Sequence, residues 1–464
     1  MKTLKYIFFL FAVFSITACF EDESTVDTVR ISEITIDTSK IEKIINIDQY
    51  DTVRIPLTEY SSQTEQPLEL SYESDINYKH YSDSSVFYYV GKELGTFPAR
   101  IKVSNKHGSA FYEFTIRVNS LFEEGVAVLS AKDDGTSMLS FKRNDHAEFR
   151  THCLTDNNQG IAFPKYPSDI TQSGKQIFIC FKDQPGIYAL NDKLLNIENI
   201  TTLDFKPQRL MMPDIEGANT ILLLSEEGKA YKFACLEGIV EPNEALPSTY
   251  SPVTYFKGDW NVVAYNMVWD LETSILYNNY YNCNTNYTSS DEGIDLDFTG
   301  QQAIAMFANK GNYFTLITKS ANSYLKTTIS NTWYGYDEEY NPYFDAPEIQ
   351  VPIQGNGTLS EESPLVSSPE LECFWWAEEN QIFRSFFNNT TFSGQTWKDL
   401  PSGFHITALA VSPEEDILYV GGWQDDGQEL NGTIYALDST TGSILKTYPN
   451  MAYKPVKIIN KAKA

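Results

Sequence analysis

The segment from Trp333 to Phe344 has the composition best suited to binding chemistry. It holds six aromatic and three acidic residues within twelve positions. Flat aromatic faces pack against the C–H face of a sugar, and nearby carboxylates accept hydrogen bonds from its hydroxyls. Rigid aromatic side chains also anchor protein partners. The stretch Tyr277–Asn282 repeats this mixture with amides. The candidate ligand-binding residues are Trp333, Tyr334, Tyr336, Asp337, Tyr340, Tyr343, Tyr280 and Tyr281.

A structural role explains the same aromatic residues equally well for residues 333–344. Tyr and Trp favour strands and fill interfaces between sheets, whereas the Pro, Gly and acids of this segment favour a loop. For Trp375–Trp376, which stand inside an apolar run, we predict a place in the core.

Catalytic motifs are absent from the sequence. The five histidines (His80, His107, His146, His152 and His405) form neither an HExxH nor an HxH pair, which argues against a zinc hydrolase. Ser323–Lys326 matches SxxK, but no SDN or KTG segment accompanies it, so we interpret the match as chance. Paired carboxylates would serve glycoside hydrolysis, but 62 acidic residues offer too many pairs to choose from. We predict no catalytic residues.

The sequence favours neither a metal site nor a disulfide, although an alternative exists for each. We predict no cofactor and no metal, with Ca²⁺ as an alternative at the acidic loops Asp291–Asp297 and Asp425–Glu429, whose oxygens suit that ion. Neither loop has EF-hand spacing. The five cysteines after Cys19 include no CxxC pair, so we expect buried thiols, with one disulfide as the alternative.

The N-terminus has the layout of a secretory signal. Lys2 and Lys5 precede the apolar run 7–14, which is too short to span a bilayer permanently. Small residues then lead to Cys19, as in the lipobox of bacterial lipoproteins, in which the cysteine is acylated. An ordinary signal peptide with a chance cysteine is the alternative. We predict a signal peptide over residues 1–18 and a lipidated acidic tether over 19–25.

Residues 26–120 are predicted to form an immunoglobulin-like β-sandwich. Short alternating strands include 29–31 and 53–57. The clearest hairpin joins 99–103 to 111–118 through a turn at Asn105–Gly108, where Asn and Gly tolerate positive φ. Such a module is typical of a spacer or an adhesive surface.

Residues 122–464 are predicted to form a β-propeller of about seven blades. Strand pairs recur around turns at Asp134–Gly135, Glu227–Gly228, Lys310–Gly311 and Glu379–Asn380. The most regular stretch places four strands within residues 406–448, close to the length of one blade. A large irregular sandwich, or two sandwiches, is the alternative.

The lipobox, the first module and the stretch 125–141 (Gly-Val-Ala-Val-Leu-Ser-Ala-Lys-Asp-Asp-Gly-Thr-Ser-Met-Leu-Ser-Phe) together resemble the PKD-like family of bacterial lipoproteins. The first module departs from the family pattern, with Leu70–Tyr72 where a Tyr-x-Trp-like strand is expected. The resemblance implies an accessory lipoprotein of the outer membrane, exposed at the cell surface. Its partners would be a TonB-dependent transporter and that transporter's nutrient-binding lipoprotein. The resemblance carries over no catalytic residue.

Charge excludes one further class of partner. With 62 acidic against 35 basic residues and a net charge of −27, the chain is unsuited to a phosphate backbone, so we predict no nucleic-acid partner. The expected function is non-catalytic binding of a glycan or peptide for nutrient uptake. Two alternatives remain: a structural lipoprotein that docks a transporter, and a propeller-type glycoside hydrolase or lyase.

Overall fold

The computed structural model describes most of the chain after residue 29. The described residues are 30–65, 67–211, 220–235, 238–242, 249–251, 255–259, 262–269, 271, 276–280, 283–286, 297–310, 313–321, 323–330, 335–336, 342–343, 348–355 and 358–463. In residues 220, 241–242, 255–259, 262–269, 276–280, 283–286, 330, 335–336 and 342–343 only the strand assignment is described. The chain divides into two units, residues 1–120 and residues 121–464.

The protein is nearly all-β. In the described part of the chain the longest helix has five residues, and no helix is long and apolar enough to cross a membrane. The first unit contains β1 (Ile34–Ile36), β2 (Ile44–Asp48), β3 (Thr52–Pro56), α1 (Leu57–Tyr60), β4 (Ser61–Gln63), β5 (Ser71–Ile76), β6 (Lys79–Ser82), β7 (Val86–Val90), β8 (Gly95–Asn105) and β9 (Gly108–Asn119), with a 3-10 turn at Thr38–Lys40.

The first unit is organised around the predicted hairpin. β8 and β9 pair from Gly95↔Val118 to Asn105↔Gly108, which confirms the hairpin. Asn105 Oδ1 accepts the backbone N–H groups of His107 and Gly108 and so stabilises the turn. The predicted strand at 29–31 is wrong over Arg30 and Ile31, which lie outside any strand.

Three sheets of the first unit share one core. The largest has the order β2-β9-β8-β5-β6, and the others pair β3 with β7 and β1 with β4. β2 pairs with β9 in parallel, whereas the other pairs of this sheet are antiparallel. Alternate residues of β8 and β9, such as Ile101 and Ile116, are fully buried against Ile55 of β3 and Phe87 of β7, because side chains on a strand alternate between its two faces.

The second unit is a succession of antiparallel strands. They are β10 (Gly125–Ala131), β11 (Ser137–Arg143), β12 (Pro167–Ser173), β13 (Gln176–Phe181), β14 (Gly186–Asn191), β15 (Ile197–Thr202), β16 (Pro207–Met211), β17 (Thr220–Ser225), β18 (Ala230–Ala234), β19 (Ile239–Pro242), β20 (Tyr255–Asp259), β21 (Val262–Trp269), β22 (Leu276–Tyr280), β23 (Cys283–Asn286), β24 (Gln302–Ala308), β25 (Tyr313–Ser320), β26 (Ser323–Ser330), β27 (Gly335–Tyr336), β28 (Pro342–Tyr343), β29 (Glu348–Ile353), β30 (Leu365–Ser368), β31 (Cys373–Glu378), β32 (Gln381–Phe386), β33 (Lys398–Asp399), β34 (His405–Val411), β35 (Ile417–Trp423), β36 (Gly432–Asp438), β37 (Ile444–Ala452) and β38 (Lys454–Lys461). One short helix, α2 (Cys153–Asn157), follows β11.

These strands form seven sheets of three or four strands in the described part of the unit, besides the β27–β28 pair. We number them in chain order: sheet 1 (β11-β10-β38), sheet 2 (β12 to β15), sheet 3 (β16 to β19), sheet 4 (β20 to β23), sheet 5 (β24-β25-β26-β29), sheet 6 (β30 to β33) and sheet 7 (β34 to β37). The predicted strand pairs around all four named turns are confirmed, as is the four-stranded sheet within 406–448.

Sheet 1 joins the two ends of the unit. β38 pairs with β10 from Ala131↔Lys454 to Gly125↔Lys461, so a strand from the end of the chain completes a sheet begun 300 residues earlier. β38 also lies beside β34 of sheet 7 and β12 of sheet 2. Consecutive sheets closed into a ring by the last strand are typical of a β-propeller, and the second unit is propeller-like.

Sheets 1, 2, 6 and 7 are buried against a neighbouring sheet on both faces. One buried cluster joins sheets 1 and 2, and others join sheets 2 and 3, 5 and 6, 6 and 7, and 7 and 1. In β31, Trp376 faces sheet 5 and Trp375 faces sheet 7, and both are fully buried. The predicted core position of Trp375–Trp376 is confirmed.

Two ion pairs connect β38 to sheet 2. Lys457 pairs with Asp169 of β12. Lys461 lies 3.7 Å from Asp192, and the side chains of that pair are only 0% and 3% exposed. We call this region the closing seam (Asp169, Asp192, Lys457 and Lys461). Asp169, Asp192 and Lys461 are enclosed, whereas the Lys457 side chain is 33% exposed, so the Asp192–Lys461 pair is the less screened by water.

Candidate binding cleft

The turn between β31 and β32 projects polar side chains from a buried aromatic sheet. Glu378 and Gln381 pair at the ends of the two strands, and Glu379 between them adopts a left-handed φ of +49°. Since Trp375 and Trp376 hold β31 on both faces, the turn has a rigid base. Polar side chains on such a base keep their positions without a ligand.

A cleft of about 540 Å³ opens beside this turn. Its walls are formed by Thr358, Glu378, Gln381, Phe383, Gly394, Gln395 and Thr396. The volume lies in the range of ~300–1,000 Å³ that is usual for small-molecule sites. Unlike most such sites, its lining is predominantly polar, which favours a ligand with many hydrogen-bonding groups.

Asp399 of β33 orients two of the lining side chains. Its Oδ1 accepts a hydrogen bond from Gln381 Nε2 at 2.9 Å, and its Oδ2 accepts one from the Thr396 hydroxyl at 3.1 Å. With both its oxygens engaged, Asp399 serves as a support for the cleft. The Gln381 carbonyl and the Thr396 oxygen lone pairs remain to accept hydrogen bonds from a ligand.

Glu378 is the principal uncommitted group of the cleft. Its side chain is exposed, and within the described residues no hydrogen bond or ion pair engages its carboxylate. A carboxylate offers two acceptor oxygens and no donor, so Glu378 is suited to a ligand with a pair of neighbouring donors.

One aromatic residue, Phe383, lines the cleft and is backed by the buried Trp376. Phe383 stacks on Trp376 with centroids 5.3 Å apart and planes 14° apart. The Trp376 indole N–H reaches the Thr358 hydroxyl oxygen at 3.5 Å. The cleft therefore combines an apolar floor with hydroxyl, amide and carboxylate walls, the combination that the sequence suggested for residues 333–344.

On the other side of the same turn, the Glu379 carboxylate is engaged by a neighbouring side chain. Glu379 Oε2 lies 2.8 Å from His405 Nδ1, and the His405 ring stacks on Trp423 at 4.7 Å. Lys454 Nζ lies 3.8 Å from the Trp423 ring centroid and pairs with Asp133. The Glu379 carboxylate is therefore engaged by a neighbouring side chain, whereas the adjacent Glu378 carboxylate is not.

The predicted binding residues are only partly covered by the structure. Tyr336 and Tyr343 lie in the β27–β28 pair, and Tyr280 ends β22 opposite Cys283, with their side chains outside the description. The following predicted residues lie outside the described residues altogether: Cys19, Tyr281, Trp333, Tyr334, Asp337 and Tyr340. Their roles stay predictions.

The weaker motifs have structural explanations. Lys326 of the SxxK match is buried, donates to the Phe387 carbonyl at 2.6 Å and pairs with Glu348 at 3.0 Å, which holds sheet 5 to sheet 6. Four cysteines (Cys153, Cys180, Cys235 and Cys373) are buried free thiols. Burial raises the pKa of Cys153, Cys180 and Cys373 to about 12.

Of the two loops considered for Ca²⁺, the structure describes 425–429 in full and 291–297 only at Asp297. Most of 291–297 lies outside the described residues. In the other loop, Asp426 accepts the Gln428 backbone N–H at 2.9 Å and Glu429 pairs with Lys132 at 2.6 Å. No group of three metal-ligating side chains occurs in the described part of the chain.

Sequence reasoning found the β31–β32 turn but not the cleft. Glu378 and Gln381 look like ordinary turn residues, and nothing in their pattern indicates that Thr358 and Thr396 lie beside them. The one available signal was the mixture of acid, amide and aromatic residues in 374–383, which is weaker than that of 333–344.

Comparison with known proteins assigns this chain to no family. No protein-family model matches the sequence, and no curated protein matches it. The structure is similar to a quinonprotein alcohol dehydrogenase-like protein from Bacteroides thetaiotaomicron, with 14% identity, a TM-score of 0.49, and coverage of 93% of this chain and 99% of that one. It is also similar to the dihydro-heme d1 dehydrogenase NirN, with 9% identity, a TM-score of 0.39, and coverage of 78% and 72%. Likeness at this level supports no activity, and the fold assignment comes from the sheet order itself.

Proposed function

We propose that this protein is an outer-membrane lipoprotein, anchored through Cys19 and exposed at the cell surface. In this role it binds a glycan or peptide nutrient without chemical turnover and passes it to a TonB-dependent uptake system. The resemblance to PKD-like lipoproteins supports the location. The cleft beside Glu378 is the observation that carries the binding role.

The proposal also assigns a specific fold to each unit. The first unit is an immunoglobulin-like or PKD-like sandwich that acts as a spacer, since its larger sheet shares one core with the β3–β7 pair. The second unit is a seven-bladed propeller in which sheets 1 to 7 are the blades. Their buried contacts with successive neighbours and the closure by β38 support this interpretation.

Binding without turnover fits the groups in the cleft. Glu378 is the carboxylate without a partner, while Asp399 is committed to Gln381 and Thr396. Glycoside hydrolysis needs two carboxyl groups that both act on the scissile bond. The cleft is better suited to recognition.

Ligand binding and lipidation are tested separately. The mature chain carrying Cys19→Ser is purified without lipid and titrated against a panel of glycans and peptides by calorimetry, and each bound ligand is recovered and checked for cleavage. We expect binding and an unchanged ligand. Copurification of the native protein with a transporter, without binding of any ligand, would instead favour a docking role.

Lipidation is measured in cells fed with radiolabelled palmitate. The native chain should take up label and fractionate with the outer membrane, and the Cys19→Ser chain should do neither. Label on the Cys19→Ser chain would contradict the proposed anchor.

A further inference from the structure

We propose that the cleft selects an uncharged, hydroxyl-rich saccharide unit and rejects units that carry carboxylate or sulfate groups. This inference rests on the proposed binding function and narrows its ligand from glycan or peptide to neutral glycan. Three properties of the cleft lead to it: its charge, its balance of donors and acceptors, and its floor.

The charge of the cleft opposes anions. Its lining includes one acid, Glu378, and no Lys, Arg or His, and Asp399 adds a second carboxylate directly behind Gln381 and Thr396. An anionic sugar would approach these carboxylates without a compensating cation. Like charges at close range in a partly enclosed site are costly.

The hydrogen-bonding balance points the same way. The two Glu378 oxygens, the Gln381 carbonyl and the Thr396 oxygen all accept, because Asp399 has taken one Gln381 N–H and the Thr396 O–H. The remaining side-chain donors are the other Gln381 N–H, the Thr358 hydroxyl, whose oxygen already accepts from Trp376, and the Gln395 amide, which adds two N–H donors and one further acceptor. The amides and hydroxyls of the lining can both donate and accept, whereas Glu378 can only accept, so a ligand beside Glu378 must donate.

Neutral sugars meet this requirement, whereas anionic groups do not. Each sugar hydroxyl can donate, and two vicinal hydroxyls match the two oxygens of one carboxylate. Carboxylate and sulfate groups only accept, so they would leave the Glu378 oxygens and the Gln381 carbonyl without donors. Unpaired buried acceptors carry a desolvation cost, and a site built for hydroxyls therefore discriminates strongly.

The floor separates a saccharide from an extended peptide. Phe383 is the aromatic residue of the lining and rests on the buried Trp376, so the cleft offers an apolar contact to the C–H face of a sugar ring and polar groups to its hydroxyls. A peptide backbone alternates donors and acceptors, so half of its groups would oppose the acceptors of the cleft.

The test compares chemically matched neutral and acidic polymers. Homogalacturonan is used as the fully methyl-esterified and the de-esterified chain, and a galactan is used in desulfated and sulfated forms, together with neutral glucans, mannans and xylans. The mature Cys19→Ser protein is titrated with each polymer. We expect the bound polymers to be neutral, with at least tenfold weaker binding of the acidic member of a pair.

Variants in one turn supply the control. Glu378→Gln should weaken binding of the neutral glycan about tenfold, since it exchanges one acceptor for a donor. Glu379→Gln makes the same change one residue away, on the side that faces His405, and should alter binding less than twofold. Thermal unfolding of both variants checks that neither has lost the fold.

The outcomes distinguish this inference from the proposed function. Preferential binding of an acidic polymer would overturn the inference and leave the binding function standing. Equal effects of Glu378→Gln and Glu379→Gln would place the site elsewhere and would also overturn it. Failure to bind any glycan or peptide would remove the proposed function itself.

Discussion

The closing seam and the binding cleft both contain carboxylates, but water reaches only one of them. In the seam, Asp192 and Lys461 are almost completely enclosed, and their separation of 3.7 Å leaves Asp192 Oδ2 without a hydrogen bond among the described groups. In the cleft, Glu378 is exposed, and among the described residues neither an ion pair nor a hydrogen bond engages its carboxylate. An unpartnered carboxylate is costly in the seam and inexpensive in the cleft, because only the exposed group keeps its hydration.

Acidic residues serve a structural ion pair in the closing seam and ligand binding in the cleft, and their surroundings distinguish the two roles. Burial raises the pKa of Asp192 and lowers that of Lys461, so the enclosure favours the neutral form of each. Asp192 therefore depends on Lys461 to remain charged, whereas Lys461 also donates to the Glu123 and Ala462 carbonyls; the pair connects the last strand to sheet 2. Glu378 depends on no protein group and is available to a ligand.

Removal of one seam charge should have the largest effect. Lys461→Met leaves Asp192 enclosed without a cation, and we expect a loss of about 3–5 kcal/mol in the free energy of unfolding. Urea unfolding measures it. The double change Lys461→Met with Asp192→Leu should recover most of the loss, and Lys463→Met, an exposed neighbour, should change little. A Lys461→Met protein as stable as the native one would contradict the assigned role of the seam.

The loss caused by Lys461→Met should shrink in acid. A carboxyl whose folded pKa is raised contributes most to stability below its unfolded pKa of about 4, and that contribution disappears as the pH rises through the folded pKa. Asp192 without its lysine is such a group. Unfolding curves at pH 7 and pH 4.5 should therefore show a smaller gap between variant and native protein at the lower pH; a constant gap would argue against an enclosed Asp192.

The second ion pair of the seam should matter less when its lysine is removed. Asp169 accepts the backbone N–H groups of Leu210 and Ile170 at 2.8 and 2.9 Å, so Lys457→Met leaves it partly satisfied and should cost about 1–2 kcal/mol. Asp169→Ala removes the acceptor of both amides and should cost about 2–3 kcal/mol. The reverse order in urea unfolding would show that the lysine, rather than the carboxylate, organises this end of the seam.

The alkylation rates of two buried cysteines should differ in their response to a change in the closing seam. Cys180 lies beside the seam, 3.1 Å from the Ser168 hydroxyl, and Cys373 lies in sheet 6. Burial raises the pKa of each thiol to about 12, so alkylation at pH 8 requires local opening. Lys461→Met should accelerate modification of Cys180 about tenfold while leaving Cys373 nearly unchanged, as measured by mass spectrometry of the peptides.

Changes in the cleft should have the smallest effect on stability. Glu378→Gln and Gln381→Ala act on exposed or half-buried side chains at a turn, so we expect changes within about 0.5 kcal/mol in urea unfolding. A larger loss for Glu378→Gln would mean that this carboxylate supports the turn, and the cleft would then resemble the seam.

Local strand pairing was predictable from the sequence. The turns at Glu227–Gly228 and Glu379–Asn380 stand between apolar runs of strand length, and the hairpin at Asn105–Gly108 carries its own turn chemistry. These signals lie within a few residues of each other, and the structure confirms each pair.

Pairing across the chain was not predictable in the same way. β38 has an unremarkable local pattern, and its partner β10 stands at the other end of the unit. Lys457 and Asp169 are 288 residues apart, so no spacing rule connects them. The cleft was not predictable from the sequence for the same reason. Its residues Thr358, Glu378 and Thr396 meet only when the loops around sheet 6 have folded.

The pairing of β38 with β10 also determines the order of events during synthesis. Glu123 and Lys461, which meet through a hydrogen bond at the end of sheet 1, are 338 residues apart. The ribosome must therefore synthesise every intervening strand before β38 can join β10 and β11 in sheet 1, and the entropy of closing so long a loop makes this step slow. Until then β10 has an unpaired edge open to other chains, so a newly made molecule is most vulnerable to aggregation just before its last strand arrives.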